Sequence, residues 1–137
     1  MADALTENVH NFLKLEHFEY KYQNGEFVML TAYGQKKWKT VLFCADGMII
    51  CYSVFPWTVP PAEFQAAYRF INDWNSHQRV GCFFLFNGRI AFRYGVPVLD
   101  LFSSDIYIKD AFTSCSAVTY AYWERVFQIS KVNNERR

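Results

Sequence analysis

Three dipeptides, Asn24-Gly25, Asp46-Gly47 and Asn87-Gly88, each stand between runs rich in aromatic and β-branched residues. Asn-Gly and Asp-Gly are favoured centres of two-residue hairpin turns, because both positions need a positive φ that Gly adopts freely and Asn or Asp tolerates. Three such hairpins commit the chain to a largely antiparallel sheet. The spacing predicts strands over His17–Tyr22, Phe27–Tyr33, Trp38–Ala45, Met48–Phe55, Gly81–Phe86 and Arg89–Gly95, with a polar loop at 34–37. Pro56 is expected to stop the fourth of them.

Between and around the strands the apolar period changes from two to three or four, the mark of amphipathic helices. Leu5, Val9, Phe12 and Leu13 trace one stripe over Ala4–Leu15, with Asp3 as its cap. Pro60 and Pro61 suit the first turn of a helix over Glu63–Trp74, with Phe64, Ala67, Tyr68, Ile71 and Trp74 on one face and Asn75-Ser76 ending it. A last helix starts at Ser103 or Ser104 and runs to about Ser130, with the stripe Ile108, Phe112, Cys115, Thr119, Tyr122, Val126 and Ile129. The fold class is α+β, in the order α-β-β-β-β-α-β-β-α. The 137 residues fit one domain, taken as residues 1–130, with residues 131–137 as a flexible tail.

The turns also assign faces. Around Asp46-Gly47, one face carries Val41, Phe43, Met48, Ile50, Tyr52 and Val54, and the other Leu42, Cys44, Ile49, Cys51 and Phe55. Around Asn87-Gly88, Phe83, Leu85, Ile90, Phe92 and Tyr94 form an apolar face that should take the helices. Cys82, Phe84, Phe86, Arg89, Ala91 and Arg93 form the other. An antiparallel sheet wet on one side should be polar there. Neither face is, so both are expected to be covered, by the chain's own helices or on one face by a second subunit. Aromatic residues mixed with Arg are typical of protein contacts, so Phe84, Phe86, Arg89 and Arg93 are the candidate partner-binding residues.

Other chemistries find little support. The net charge of +1 makes no electrostatic case for nucleic acid, although aromatic residues on a sheet suit base stacking. His10, His17 and His77 lack ligand spacing, and no CxxC, GxSxG or phosphate-binding glycine loop occurs, so no catalytic residue, metal or cofactor is assigned. No apolar run reaches the ~20 residues that span a bilayer, and the first residues lack an apolar signal region. With Cys44 and Cys51 diagonal across their hairpin, about 7–8 Å apart, a disulfide between them is out of comfortable reach. Reduced thiols and a cytoplasmic location are the expectation. An alternative function is a small-molecule or lipid sensor with a pocket between sheet and helices lined by Trp57, Tyr68 and Trp74.

The segments Val59-Pro60-Pro61-Ala62-Glu63, Arg69 to Asn75, Gly81 to Leu85 and Gly88 to Tyr94 together resemble the YbjN family. There a helix ending in an Asn-containing stop is followed by a Gly-initiated strand, a second strand closing on Arg and an aromatic residue, and a long last helix. Leu13, Phe18, Tyr20, Phe43 and Asp46-Gly47 extend the resemblance over roughly residues 5–130. It implies a fold similar to type III secretion chaperones, which are small domains, commonly homodimers, that bind partner polypeptides. The family is described as candidate sensory-transduction regulators and carries no catalytic residues across. Four strands precede the second helix here, against the usual three in those chaperones. Either the first hairpin is partly irregular or the sheet is larger. The function that follows is a non-catalytic protein-binding module, regulatory or chaperone-like, acting as a homodimer.

Overall fold

The computed structural model describes residues 4–77 and 81–135, with side-chain surroundings up to Ser130. Its elements run α1 (Ala4–Leu15), β1 (Lys21–Gln23), β2 (Glu26–Tyr33), β3 (Lys36–Ala45), β4 (Met48–Thr58), α2 (Phe64–His77), β5 (Cys82–Phe86), β6 (Arg89–Pro97) and α3 (Ser104–Glu135). Short 3-10 turns at Pro61–Glu63 and Leu101–Ser103 lead into α2 and α3. The strands form one antiparallel sheet in the order β1-β2-β3-β4-β6-β5. The class and element order match those read from the sequence.

All three Asx-Gly pairs have positive φ at both residues, from 51° to 78°, which defines type I′ turns. The registers they set are Gln23↔Glu26, Ala45↔Met48 and Phe86↔Arg89. A fourth tight turn at Gly34-Gln35 replaces the expected polar loop, so β3 begins at Lys36.

The first strand is much shorter than expected. After α1 the chain makes a Schellman turn, in which the Phe18 N–H donates to the Leu13 carbonyl at 2.9 Å and His17 takes a left-handed φ of 60°. Phe18 then stacks on Phe112 at 5.2 Å, and Tyr20 meets His10 Nδ1 through its hydroxyl at 3.0 Å. These contacts draw residues 18–20 out of the sheet, leaving β1 only three residues. At the other extreme, Pro56 does not stop β4. It sits outward in a register shift between Val54↔Ala91 and Thr58↔Arg89, where a missing N–H costs no ladder bond.

All three helices lie on one face. Leu5, Val9 and Leu13 of α1, Ala67, Phe70 and Trp74 of α2, and Ile108, Ala111, Cys115, Val126 and Ile129 of α3 join one core. The sheet side of that core is Phe27, Met29, Trp38, Leu42, Ile49, Cys51, Phe55, Phe83, Ile90 and Phe92. Phe83, Ile90 and Phe92 stand on the face expected to take the helices, and Leu42, Ile49, Cys51 and Phe55 share one face as the Asp46-Gly47 turn requires. The α2 stripe is turned from the expected one: Phe70 is buried and Tyr68 is exposed. The Asp100 carboxylate accepts from the Phe102 N–H and the Ser103 hydroxyl ahead of α3. Asn8 Nδ2 donates to Ser104 Oγ at 2.9 Å, tying α1 to the start of α3. The backbone of α3 is helical to Glu135, and Arg136 and Arg137, part of the expected tail, lie outside the described residues.

Candidate interaction surface

With the helices gathered on one face, no described element covers the opposite one. Across β2, β3, β4, β6 and β5 it carries Val28, Leu30, Lys39, Val41, Phe43, Ile50, Tyr52, Val54, Ala91, Arg93, Arg89, Phe84 and Phe86, as the registers require. A helix-free face would ordinarily be polar. Here Val41, Val54 and Ala91 are buried although they stand outside the helix-facing core. Their shelter comes from larger side chains on the same face. Phe84 is paired with Ala91. The rings of Phe43, Tyr52, Phe86 and Phe84 form a row with successive centroids 6.3, 6.3 and 6.4 Å apart.

Charged groups share the face with that row, the arginines on β6 between its members on β4 and β5. Arg89 and Arg93 are exposed on β6. Glu26 stands on β2, where its carboxylate accepts from the Tyr52 hydroxyl at 3.3 Å. Burial, with Glu26 adding a repulsive charge and an acceptor, pushes the Tyr52 phenol up to about 12. A raised phenol pKa means the folded state holds its proton longer than the unfolded chain. Its contribution to stability is complete below pH ~10 and is lost as pH rises toward 12. The candidate residues Phe84, Phe86, Arg89 and Arg93 therefore share one uncovered surface. Glu26, Phe43 and Tyr52 join it through the β4–β6 pairing, which no turn encodes.

The expected ligand pocket fares differently. Trp74 is buried and packs edge-on against Phe83 and Phe92 at 5.0 and 5.3 Å. Trp57 stacks on Phe55 and meets Phe127 at 4.9 Å, with Lys36 Nζ above the Phe127 ring. Tyr68 is exposed beside Phe64. The three rings keep separate neighbours and line neither of two grooves found elsewhere among the described residues. One groove, of about 1080 Å³, lies between the outer edge of β2 and α3, bordered by Phe18, Leu30, Phe112 and Tyr120. The other, of about 960 Å³, lies between α1 and the start of α3 beside Leu15, Ile106 and Phe102, the last 99% exposed.

The cysteines form no disulfide. Cys51 and Cys115, far apart in sequence, meet beneath the sheet. The Cys115 contact and burial together push the Cys51 thiol well up. A row of hydroxyls, Thr40 to Ser53 at 2.9 Å and Ser53 to the Cys115 thiol at 3.4 Å, satisfies the buried hydroxyls of β3 and β4, whereas the buried indole N–H of Trp38 on β3 has no hydrogen-bond partner among the described residues. Among the described residues, no three of His, Cys, Asp and Glu gather in a metal-binding cluster, and no helix is long and apolar enough to cross a membrane.

No family model matches the sequence, and no curated protein does. The decisive likeness is structural. The chain is similar in fold to the crystal structure of YbjN, a candidate transcription regulator from E. coli. The TM-score is 0.63 at 7% sequence identity, over 87% of this chain and 91% of that one. The YbjN likeness implied by the strand and helix-stop motifs therefore holds at the level of fold. Relative to the three strands expected of secretion chaperones, the sheet is larger, with six strands in all, and the first hairpin is regular at its turn but short, its first strand having only three residues.

Proposed function

We propose that this chain is a non-catalytic regulatory or binding module that acts through the helix-free face of its sheet, with a second copy of the same chain as first partner. The observation that carries this reading is the aromatic row Phe43, Tyr52, Phe86 and Phe84 on a face with no helix over it. Contiguous apolar surface of this kind marks contact sites.

One charge pairing suits self-association. Glu26 lies on β2 and Arg89 and Arg93 on β6, either side of the central β3–β4 pair. A two-fold axis lying in the interface and running along the strands at the β3–β4 seam would set Glu26 of each copy toward the arginines of the other, as an isologous interface requires. Six strands at ~4.8 Å by about eight residues at ~3.3 Å give a face of about 750 Å². A stable interface buries ~800 Å² per partner. The regulatory part of the reading draws support from the fold neighbour, which is described as a candidate transcription regulator. A cytoplasmic place of action belongs to the same proposal.

Sedimentation equilibrium tests it. The wild type should dimerise, Arg93→Glu should weaken the dimer at least about tenfold, and adding Glu26→Arg should restore much of it, as reciprocal charge pairs do. A wild type that stays monomeric, or an Arg93→Glu variant that dimerises unchanged, contradicts the assigned interface.

A further inference from the structure

We infer that the groove between β2 and α3, at the border of the helix-free face, is a second binding site that takes an extended polypeptide segment as an added strand on the free edge of β2. The inference starts from the hydrogen-bond parity of the hairpins. Gln23↔Glu26 closes a two-residue turn and Lys21↔Val28 follows it, so the even-numbered residues of β2 point their N–H and C=O groups toward β1. β1 ends at Lys21, whereas β2 continues to Tyr33. Leu30 and Ala32 therefore aim their main-chain groups past the end of β1. The Ala32 carbonyl accepts from the Tyr120 hydroxyl at 3.4 Å. Neither the N–H nor the C=O of Leu30 has a main-chain partner among the described residues.

The other edge of the sheet is treated differently. On β5 the same parity turns Phe83 outward, and there the Asn75 side chain fills both positions. Its Nδ2 donates to the Phe83 carbonyl at 3.0 Å, and its Oδ1 accepts from the Phe83 N–H at 2.9 Å. Asn75 acts as a one-residue substitute strand that blocks the edge, a common protection against strand pairing. At Leu30 the space beside the edge is a groove, because the Tyr20–His10 and Phe18–Phe112 contacts pull residues 18–20 away from it.

The lining specifies the occupant. On the α3 side, Phe18, Phe112 and Tyr120 present rings to alternate side chains of an added strand. On the opposite side, Leu30 is 69% exposed, Lys39 lies beside it in register and Lys21 stands on the same face at the end of β1. With Glu19 the only acid in the lining, the groove is net basic. The matching segment alternates apolar residues toward α3 with acidic residues toward the lysines. Main-chain bonds supply affinity, and the alternate side chains supply selectivity.

The test uses the full chain and a capped Val-Glu-Val-Glu-Val peptide, with a backbone N-methylated version of the same peptide as control. Hydrogen exchange read by NMR should show the Leu30 amide protected about tenfold or more by the first peptide and not by the second. Lys21→Glu combined with Lys39→Glu should abolish the effect while leaving the fold intact. Leu30→Pro, tolerated on an edge strand, removes the amide at that position and should abolish peptide binding itself, read as the loss of peptide-induced NMR shift changes at Ala32. Absence of protection at saturating peptide overturns the inference. So does equal binding of the N-methylated peptide, or occupation of the groove by a fatty acid while the peptide fails to bind.

Discussion

Gly81→Ala should lower stability by about 3–4 kcal/mol and the melting temperature by roughly 10–20 °C. Gly81 has a φ of +73° just ahead of β5, and a Cβ there would run into the Phe92 ring and lie 2.8 Å from the Arg93 carbonyl. The backbone strain alone costs about 1–2 kcal/mol. The remainder comes from displacing a core ring that also packs against Phe83 and Trp74. Gly25→Ala supplies the comparison: its φ is +78°, but nothing lies within 4 Å of the added carbon, so only the strain of about 1–2 kcal/mol should appear. Equal losses in thermal unfolding followed by circular dichroism would mean that Gly81 is not seated against the core.

Phe83→Ala and Phe84→Ala should part sharply although the residues are neighbours. Phe83 is buried among Phe70, Trp74 and Phe92, each at a centroid distance of 5.0 Å. Its truncation leaves a core cavity and should cost about 3–5 kcal/mol. Phe84 points to the opposite face, where it is half-buried beside Ala91 and Phe86. Its truncation should cost about 1 kcal/mol or less and leave a folded chain with weakened self-association. Chemical denaturation of the two variants, paired with sedimentation of Phe84→Ala, checks both halves. A loss of stability at Phe84 equal to that at Phe83 would mean that the face is packed against the chain itself.

That contrast shows why so much of the sheet was legible in the sequence. A type I′ turn fixes register within a hairpin, and register fixes which residue faces which side. The split between Phe83 and Phe84, and that between Leu42 and Val41, followed from turn position alone. The pairing of β4 with β6 did not, because a helix and another strand separate them and no turn sets their register. Without it, the row from Phe43 through Tyr52 to Phe86 was not traceable, nor was the placement of all three helices on one side. The meeting of Cys51 with Cys115 across strand and helix was hidden for the same reason.

Local periodicity misled where tertiary contacts outbid it. Phe18, Tyr20 and Tyr22 alternate as a strand would, yet the rings of Phe112 and His10 claim the first two. Pro56 reads as a stop, but the register shift gives it a place inside β4. Asn75 reads as a helix terminator. The helix continues to His77, and the side chain serves the β5 edge instead. Trp57, Tyr68 and Trp74 were grouped by ring chemistry, and the turn of α2 disperses them.

Photo-cross-linking of the purified chain tests the central claim most directly. A benzophenone-bearing phenylalanine analogue placed at Phe86 probes the helix-free face, and the same group at Tyr68 probes an exposed site in the helical layer. The account predicts a covalent dimer from position 86 and little or none from position 68. A dimer that forms equally from both positions, or only from position 68, would contradict it.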